Sequence, residues 1–185
     1  MLGNGLVVGK FCPLHLGHEL VIRRALQDCR GVAVISYTKP EFPRCAPAVR
    51  ERWLRARCPE ATVLVVDDQR LAEWGAECEL PPNDAPGALH HAFIAWLCLE
   101  RLGRVVDAVF TSEPYGDQFA ADLSGHFTRH LGRALSVRHV LVDRAREAVP
   151  VSGTRIRERP HEFRHFLAPE VCSDFLAEGG EPSGE

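Results

Sequence analysis

The sequence contains no apolar run approaching the roughly 18 residues that a membrane-spanning helix requires. Its first residues, Met-Leu-Gly-Asn-Gly, lack the basic start and long apolar stretch of a secretory leader, so the expected compartment is the cytoplasm and no membrane partner is expected. Seven cysteines (12, 29, 45, 58, 78, 98, 172) form no C-x-x-C pair and are odd in number, which argues against a disulfide framework or a zinc knuckle. Charge of one sign is also lacking. Lys and Arg number 22 against 25 Asp and Glu, a net of −3, so nothing draws the chain generally to nucleic acid. A polyphosphate would have to be held by local positive groups. There is no G-x-x-x-x-G-K-[ST] loop, internal repeat or low-complexity tract. What remains is 185 residues, 45% hydrophobic and 25% charged, enough for one globular domain with a buried core.

The stretch around which the chain is organised is residues 9–18, Gly-Lys-Phe-Cys-Pro-Leu-His-Leu-Gly-His. An apolar run, Leu6-Val7-Val8, enters it and an amphipathic segment leaves it, the pattern of strand, tight turn and helix. Helix N-termini carry unpaired N–H groups and a positive dipole end, so such a turn favours an anion. Gly9 and Gly17 are expected to let backbone approach a ligand closely. His15 and His18, three residues apart, can face the same ligand, and Lys10 adds fixed positive charge. A lone histidine is more often structural, but two in one Gly/Pro turn favour chemistry. Cys12 reads as a small filler, although a helix terminus can lower a thiol pKa.

Further along, helices are expected at 16–28, with Val21, Ile22, Ala25 and Leu26 on one face, at 47–57 and at 88–102. Strands are expected at 6–10, 32–36, 62–66, 105–110 and 137–142. Residues 67–87 read as one long loop, and a helical region from 116 reads as broken near Ser124-Gly125. Short helices begin at 152 or 153, at Pro160 and at Pro169, and 179–185 reads as a frayed tail. Arg50 and Arg52 read as a solvated helix face. Alternating strands and helices give a single α/β domain over 1–185, with ligands bound beyond the carboxyl ends of the strands.

The run Gly9-x-Phe11-x-Pro13-x-His15-x-Gly17-His18 resembles the first signature of the nucleotidyltransferase superfamily, and Val151-Ser152-Gly153-Thr154-Arg155-Ile156-Arg157 resembles its second. Between them, 111–116 (Thr-Ser-Glu-Pro-Tyr-Gly) and 142–146 (Val-Asp-Arg-Ala-Arg) resemble the NadR-type nicotinamide mononucleotide (NMN) adenylyltransferases. The resemblance runs over about 6–175. It implies a Rossmann-like three-layer sandwich with a five-stranded parallel sheet, and transfer of AMP from ATP to NMN with Mg²⁺. In that reading His15, His18 and Lys10 are catalytic, while Gly9, Phe11, Gly17, Ser152, Thr154 and Arg157 bind ATP and its phosphates. The acceptor side is implied at Asn83, Asp84, His90, Glu113, Tyr115, Gly116 and Arg146, with Asp143 matching the Asp-x-x-Arg segment, and support of the cleft stands beside direct contact for several of these. Mg²⁺ rides on the phosphates with no ligand from the protein.

Rival readings remain at this stage. One is another adenylyl- or cytidylyltransferase acting on a different phosphate acceptor, such as pantetheine phosphate. Another is a nucleotide sensor without turnover. His161-Glu162-Phe163-Arg164-His165 is a literal H-E-x-x-H, but it follows a proline and a phosphate signature and has no third ligand. Ser152 and Thr154 taken alone read equally well as helix caps. Trp74 and Trp96 flank the acceptor region, and either can be core. The acceptor base and the oligomeric state are left open.

Overall fold

Strand β1 (Leu2–Gly9) is the centre of the sheet, and every other element is placed by what packs on it. The fold, a computed structural model describing residues 1–177, is a five-stranded sheet of order β3-β2-β1-β4-β5 with every pair parallel. The other strands are β2 (Cys29–Ser36), β3 (Thr62–Val65), β4 (Ala108–Thr111) and β5 (Arg138–Leu141). Parallel strands are covered on both faces, which is why they read as continuous apolar runs. Their period-2 alternation sorts the core into two layers. Val7, Val32, Val34 and Phe110 join one cluster, whereas Leu6, Ala33, Ile35 and Val109 join the other.

The first layer is closed by α1 (Leu16–Asp28), α2 (Pro47–Arg57) and the C-terminal helices α6 (Gly153–Glu158), α7 (Pro160–Phe163) and α8 (Pro169–Leu176), through Ile22, Leu54, Ile156, Phe163 and Val171. The second is closed by α3 (Asp68–Glu73), α4 (Gly87–Trp96) and α5 (Gly116–Leu131), through Leu71, Ile94 and Leu123. Helix α4 continues as a π turn, Leu97–Arg101, and α7 as a 3-10 turn, Arg164–Phe166. Each such fully buried aliphatic side chain contributes roughly 1.5–3 kcal/mol.

Three expectations need correction. Residues 67–87 are not one loop: the Asp67 carboxylate accepts from the Arg70 amide at 2.8 Å and caps α3. Helix α5 is not broken at Ser124-Gly125. The Ser124 hydroxyl bonds back to the Ala120 carbonyl at 2.7 Å and accepts from the Val137 amide at 2.8 Å, tying the helix to the entry of β5. The first strand begins at Leu2 rather than 6, because Asn4 is anchored by the Asp107 carboxylate at 2.6 Å and its side chain by the Val105 carbonyl at 3.1 Å. The expected tail at 179–185 lies outside the described residues.

The strand order reverses between β1 and β4. From β1 the chain builds outward through β2 to β3, then returns to β4 on the other side. That switch point opens a crevice at the carboxyl ends of the strands. The turn after β1 and the turn after β4 therefore face one another.

Candidate active site

Two adjoining hollows occupy the switch point. The first, about 310 Å³, is walled by Gly9, Lys10, Phe11, His15, Gly17 and His18 from the β1–α1 turn. Its far wall is Ser152, Gly153, Thr154 and Arg157, with Glu113, Asp143 and Arg146 between. The segments 145 residues apart touch directly: Arg157 Nη1 donates to the Cys12 carbonyl at 2.6 Å. Thr154 Oγ1 accepts from Arg157 Nη2 at 3.1 Å, and Ser152 Oγ accepts from the Arg155 amide at 3.3 Å, capping α6. A Cβ on Gly153 would stand 3.1 Å from Arg157 Nη1 and 3.4 Å from the Cys12 carbonyl oxygen, so the two segments pack in contact here.

The histidines are stacked, ring centroids 3.6 Å apart, with Phe11 edge-on to His18 at 4.8 Å. Phe11 is buried with φ at 51°, an unfavourable backbone region for an aromatic residue that the surrounding turn holds in place. Gly9 and Gly17 have a packing reason beyond backbone approach: a Cβ on Gly9 would meet the Phe11 ring at 3.0 Å, and one on Gly17 the His15 ring at 3.1 Å. The His15 amide donates to His18 Nδ1 at 3.4 Å, so the neutral ring of His18 carries its proton on Nε2. His15 Nδ1 is buried without a hydrogen-bond partner. Burial, reinforced by Arg146 and Arg157, lowers the His15 pKa to about 4. Burial, then His15 and Arg146, hold His18 well below its usual value. Both rings are neutral N–H donors near pH 7. Lys10 is also lowered, by partial burial and then by Arg157.

Packed against the β1–α1 turn, outside the lining of this hollow, are residues the sequence did not single out as a site. Arg50, expected on a solvated face, is 0% exposed and lies beneath the turn. Its guanidinium pairs with Glu41 at 2.7 and 3.1 Å and reaches Cys12 Sγ at 3.5 Å. Cys12, buried in the turn at the edge of the hollow, contacts the Cys45 thiol, which lowers its pKa, with Arg50 adding to the effect against burial. Phe42 lies between two cations, 4.3 Å from the Arg157 guanidinium carbon and 5.7 Å from Lys10 Nζ. Glu41, Phe42 and Cys45 come from a proline-rich loop and Arg50 from a helix face, and neither pattern carries a signal of a site.

The second hollow, about 630 Å³, shares Val8, Gly9, Lys10, Thr111 and Tyr115 with the first and extends over Tyr37, Asn83, His90, His91, Ile94 and Phe119. Tyr37 Oη and His90 Nδ1 lie 2.8 Å apart with the rings stacked, and burial lowers the His90 pKa, with His91 and Lys10 adding to it. The Asn83 carboxamide is held by its own surroundings: its oxygen accepts from Thr38 Oγ1 at 2.9 Å and its nitrogen donates to the Pro40 carbonyl at 3.1 Å. Asp84 and Gly116 line neither hollow. Trp74 and Trp96 are elsewhere, clasping Arg101 at 4.7 and 5.1 Å. His161 lies on α7 and His165 on the following 3-10 turn, so the literal H-E-x-x-H does not share one helix face.

Both carboxylates of the first hollow are spent on the protein. Glu113 accepts from Arg146 Nη2 at 2.7 Å, and Asp143 accepts the amides of Glu147, Ala148 and Val149 at 2.9 to 3.1 Å. Among the described residues no group of three His, Cys, Asp or Glu could hold a metal ion, and no helix is long and apolar enough to cross a membrane.

The all-parallel sheet with its switch-point cleft is the Rossmann-like nucleotidyltransferase fold. The chain is 28% identical to the trifunctional NAD biosynthesis/regulator protein NadR of Escherichia coli (strain K12), over 98% of this chain and 43% of that one. To NadR of Salmonella typhimurium (strain LT2) it is likewise 28% identical, with the same shares covered. A solved NadR protein in complex with NAD and AMP-PNP superposes with a TM-score of 0.55 at 21% identity, over 89% of this chain and 44% of that chain. The chain thus resembles NadR along nearly its whole length while spanning less than half the length of those relatives. No family model matches it.

Proposed function

We propose that the protein is an adenylyltransferase that moves AMP from ATP to NMN, forming NAD and pyrophosphate. The observation that carries the reading is the meeting of Lys10, His15 and His18 with Ser152, Thr154 and Arg157 around one hollow. The likeness to NadR proteins, one of them solved with NAD and AMP-PNP, gives the nucleotide class. In the reaction an oxygen of the acceptor phosphate bonds to the α-phosphorus as the bond to the bridging oxygen breaks, and pyrophosphate leaves. The attacker is already an anion, so no base is needed. Catalysis reduces to alignment and to stabilising charge on the five-coordinate phosphorus.

His18, neutral and protonated on Nε2, donates to an α-phosphate oxygen, and His15 stacked behind it holds the ring in place. Arg157, Ser152 and Thr154 grip the β- and γ-phosphates, while Lys10, common to both hollows, faces the junction between donor and acceptor. A Mg²⁺ ion carried on the triphosphate would reduce its charge, and the reading assigns it no ligand from the protein. The second hollow, with no Asp or Glu in its lining, takes the acceptor, and the half-exposed Tyr115 ring offers a face for stacking. In this reading Asn83 shapes the acceptor wall through the 37–40 segment, and Gly116 supports the turn rather than touching ligand.

The test is pyrophosphate release by the purified protein with ATP, Mg²⁺ and a panel of acceptors: NMN, its acid analogue, pantetheine phosphate and glycerol phosphate. Release with NMN and formation of NAD are expected. Release only with another acceptor moves the assignment within the superfamily, and tight ATP binding without release makes the protein a sensor.

A further inference from the structure

His139 belongs to none of the motifs, yet it lies where three elements meet. It is on β5, in register with Val109 of β4, and its side chain is only 6% exposed. Its Nδ1 is 2.9 Å from Asp117 Oδ1 in the first turn of α5, and its Nε2 is 2.9 Å from Thr111 Oγ1 at the end of β4. Gly116 permits this, since a Cβ at that position would overlap the His139 ring. The Thr111 hydroxyl in turn closes the β4–α5 turn, donating to the Glu113 carbonyl at 2.9 Å and accepting the Glu113 amide at 3.2 Å.

The bonds continue across the cleft. Glu113 Oε1 holds Arg146 Nη2 at 2.7 Å, and Arg146 Nη1 donates to the Val151 carbonyl at 2.7 Å, one residue before Ser152. An unbroken series of polar contacts therefore runs from Asp117 through His139, Thr111, Glu113 and Arg146 to the segment that opens α6. Thr111 lines both hollows, whereas His139 and Asp117 line neither. The Asp117 carboxylate is 90% exposed, so it orients the imidazole and adds little energy, while the buried contacts decide the geometry.

We propose that His139 is a positioning residue: it fixes the β4–α5 turn and, through Glu113 and Arg146, holds the wall carrying Ser152 and Thr154 in register with the acceptor side. The kinetic part of the test rests on the adenylyl-transfer reading. The structural part does not.

The variants are His139→Phe, which keeps a ring and loses both polar contacts, and Thr111→Val, which is nearly isosteric and breaks the series one bond later. Thr111→Ser is the conservative control. Hydrogen exchange on the full chain should show amides in 112–116 and in 151–155 opening about tenfold faster in both breaking variants. Amides of β2 and β3 should be unchanged, and Thr111→Ser should match the parent. With folded fraction equal by circular dichroism, KM for ATP and for NMN should rise together, about fivefold. A loss of folded protein alone would lower turnover and leave KM where it was. Loosening confined to 112–116, or a rise in KM for NMN alone, overturns the coupling. Should His139→Phe fail to fold, Thr111→Val carries the same measurement. A parent protein that releases no pyrophosphate with any acceptor refutes the reaction, and the exchange data still decide the coupling.

Discussion

His18 accepts the His15 amide on one ring nitrogen and keeps the other protonated, so its donor is preset before any ligand arrives. Replacing it by alanine removes that donor and the ring that Phe11 and His15 pack against. Turnover of His18→Ala should fall by on the order of a hundredfold or more, the loss typical of one donor to a developing oxyanion, with an unchanged circular dichroism spectrum. A near-normal rate would sink the role given to this ring. Arg50 is a different case, because its partners are protein atoms. Arg50 is fully buried while its partner Glu41 is a third exposed. Arg50→Met therefore strips the carboxylate of two hydrogen bonds and should lower stability by about 1–3 kcal/mol in denaturant titration. The sequence hid Arg50 because arginine beside Arg52 on an amphipathic helix is ordinarily solvated. Here α2 turns it under the β1–α1 turn, toward Glu41 and Cys12. Phe42 was hidden for a related reason, since nothing in a proline-rich loop announces which ring will lie between two cations.

At the scale of elements, helices with an apolar face and a clear start were legible: α1 and α2 begin and end where periodicity and Pro47 placed them. Helix α3 was not, because six mostly polar residues show no period and only the Asp67 cap marks them. The uninterrupted α5 was misjudged at Gly125, whose cost in a helix is offset by Phe119, Leu123 and Phe127 packing on the sheet. Two glycines in that helix should therefore answer oppositely to alanine. Gly125→Ala meets only the flexible end of Arg129 and should gain up to about 1 kcal/mol. Gly116→Ala runs into the buried His139 ring and should lose about 1–3 kcal/mol, both read from thermal or urea unfolding. The meeting of the two signatures follows from topology, since strand order sets which turns share a switch point.

For the whole molecule, the two histidines of the cleft tie stability to pH. An unfolded histidine titrates near 6.5, whereas folded His15 does so only near 4 and folded His18 well below 6.5. Between those values the unfolded chain takes up protons that the folded chain refuses, so stability is lost as pH falls from about 6.5 toward 4. His15 alone should account for on the order of 2 kcal/mol between pH 7 and pH 5. Urea titrations of the parent should show that slope, and His15→Asn should flatten it.

Lys10 belongs to the linings of both hollows, with Thr111 and Tyr115 beside it, so no ridge of protein separates them. In the proposed reaction a dinucleotide assembled over that lysine would fill the seats of its two precursors at once. Under the proposed reaction, NAD added from outside should accordingly compete with ATP and with NMN alike, so that product would restrain its own formation. Initial-rate measurements with each precursor varied in turn would display that dual competition, and a noncompetitive pattern against either one would mean that the seats are not shared.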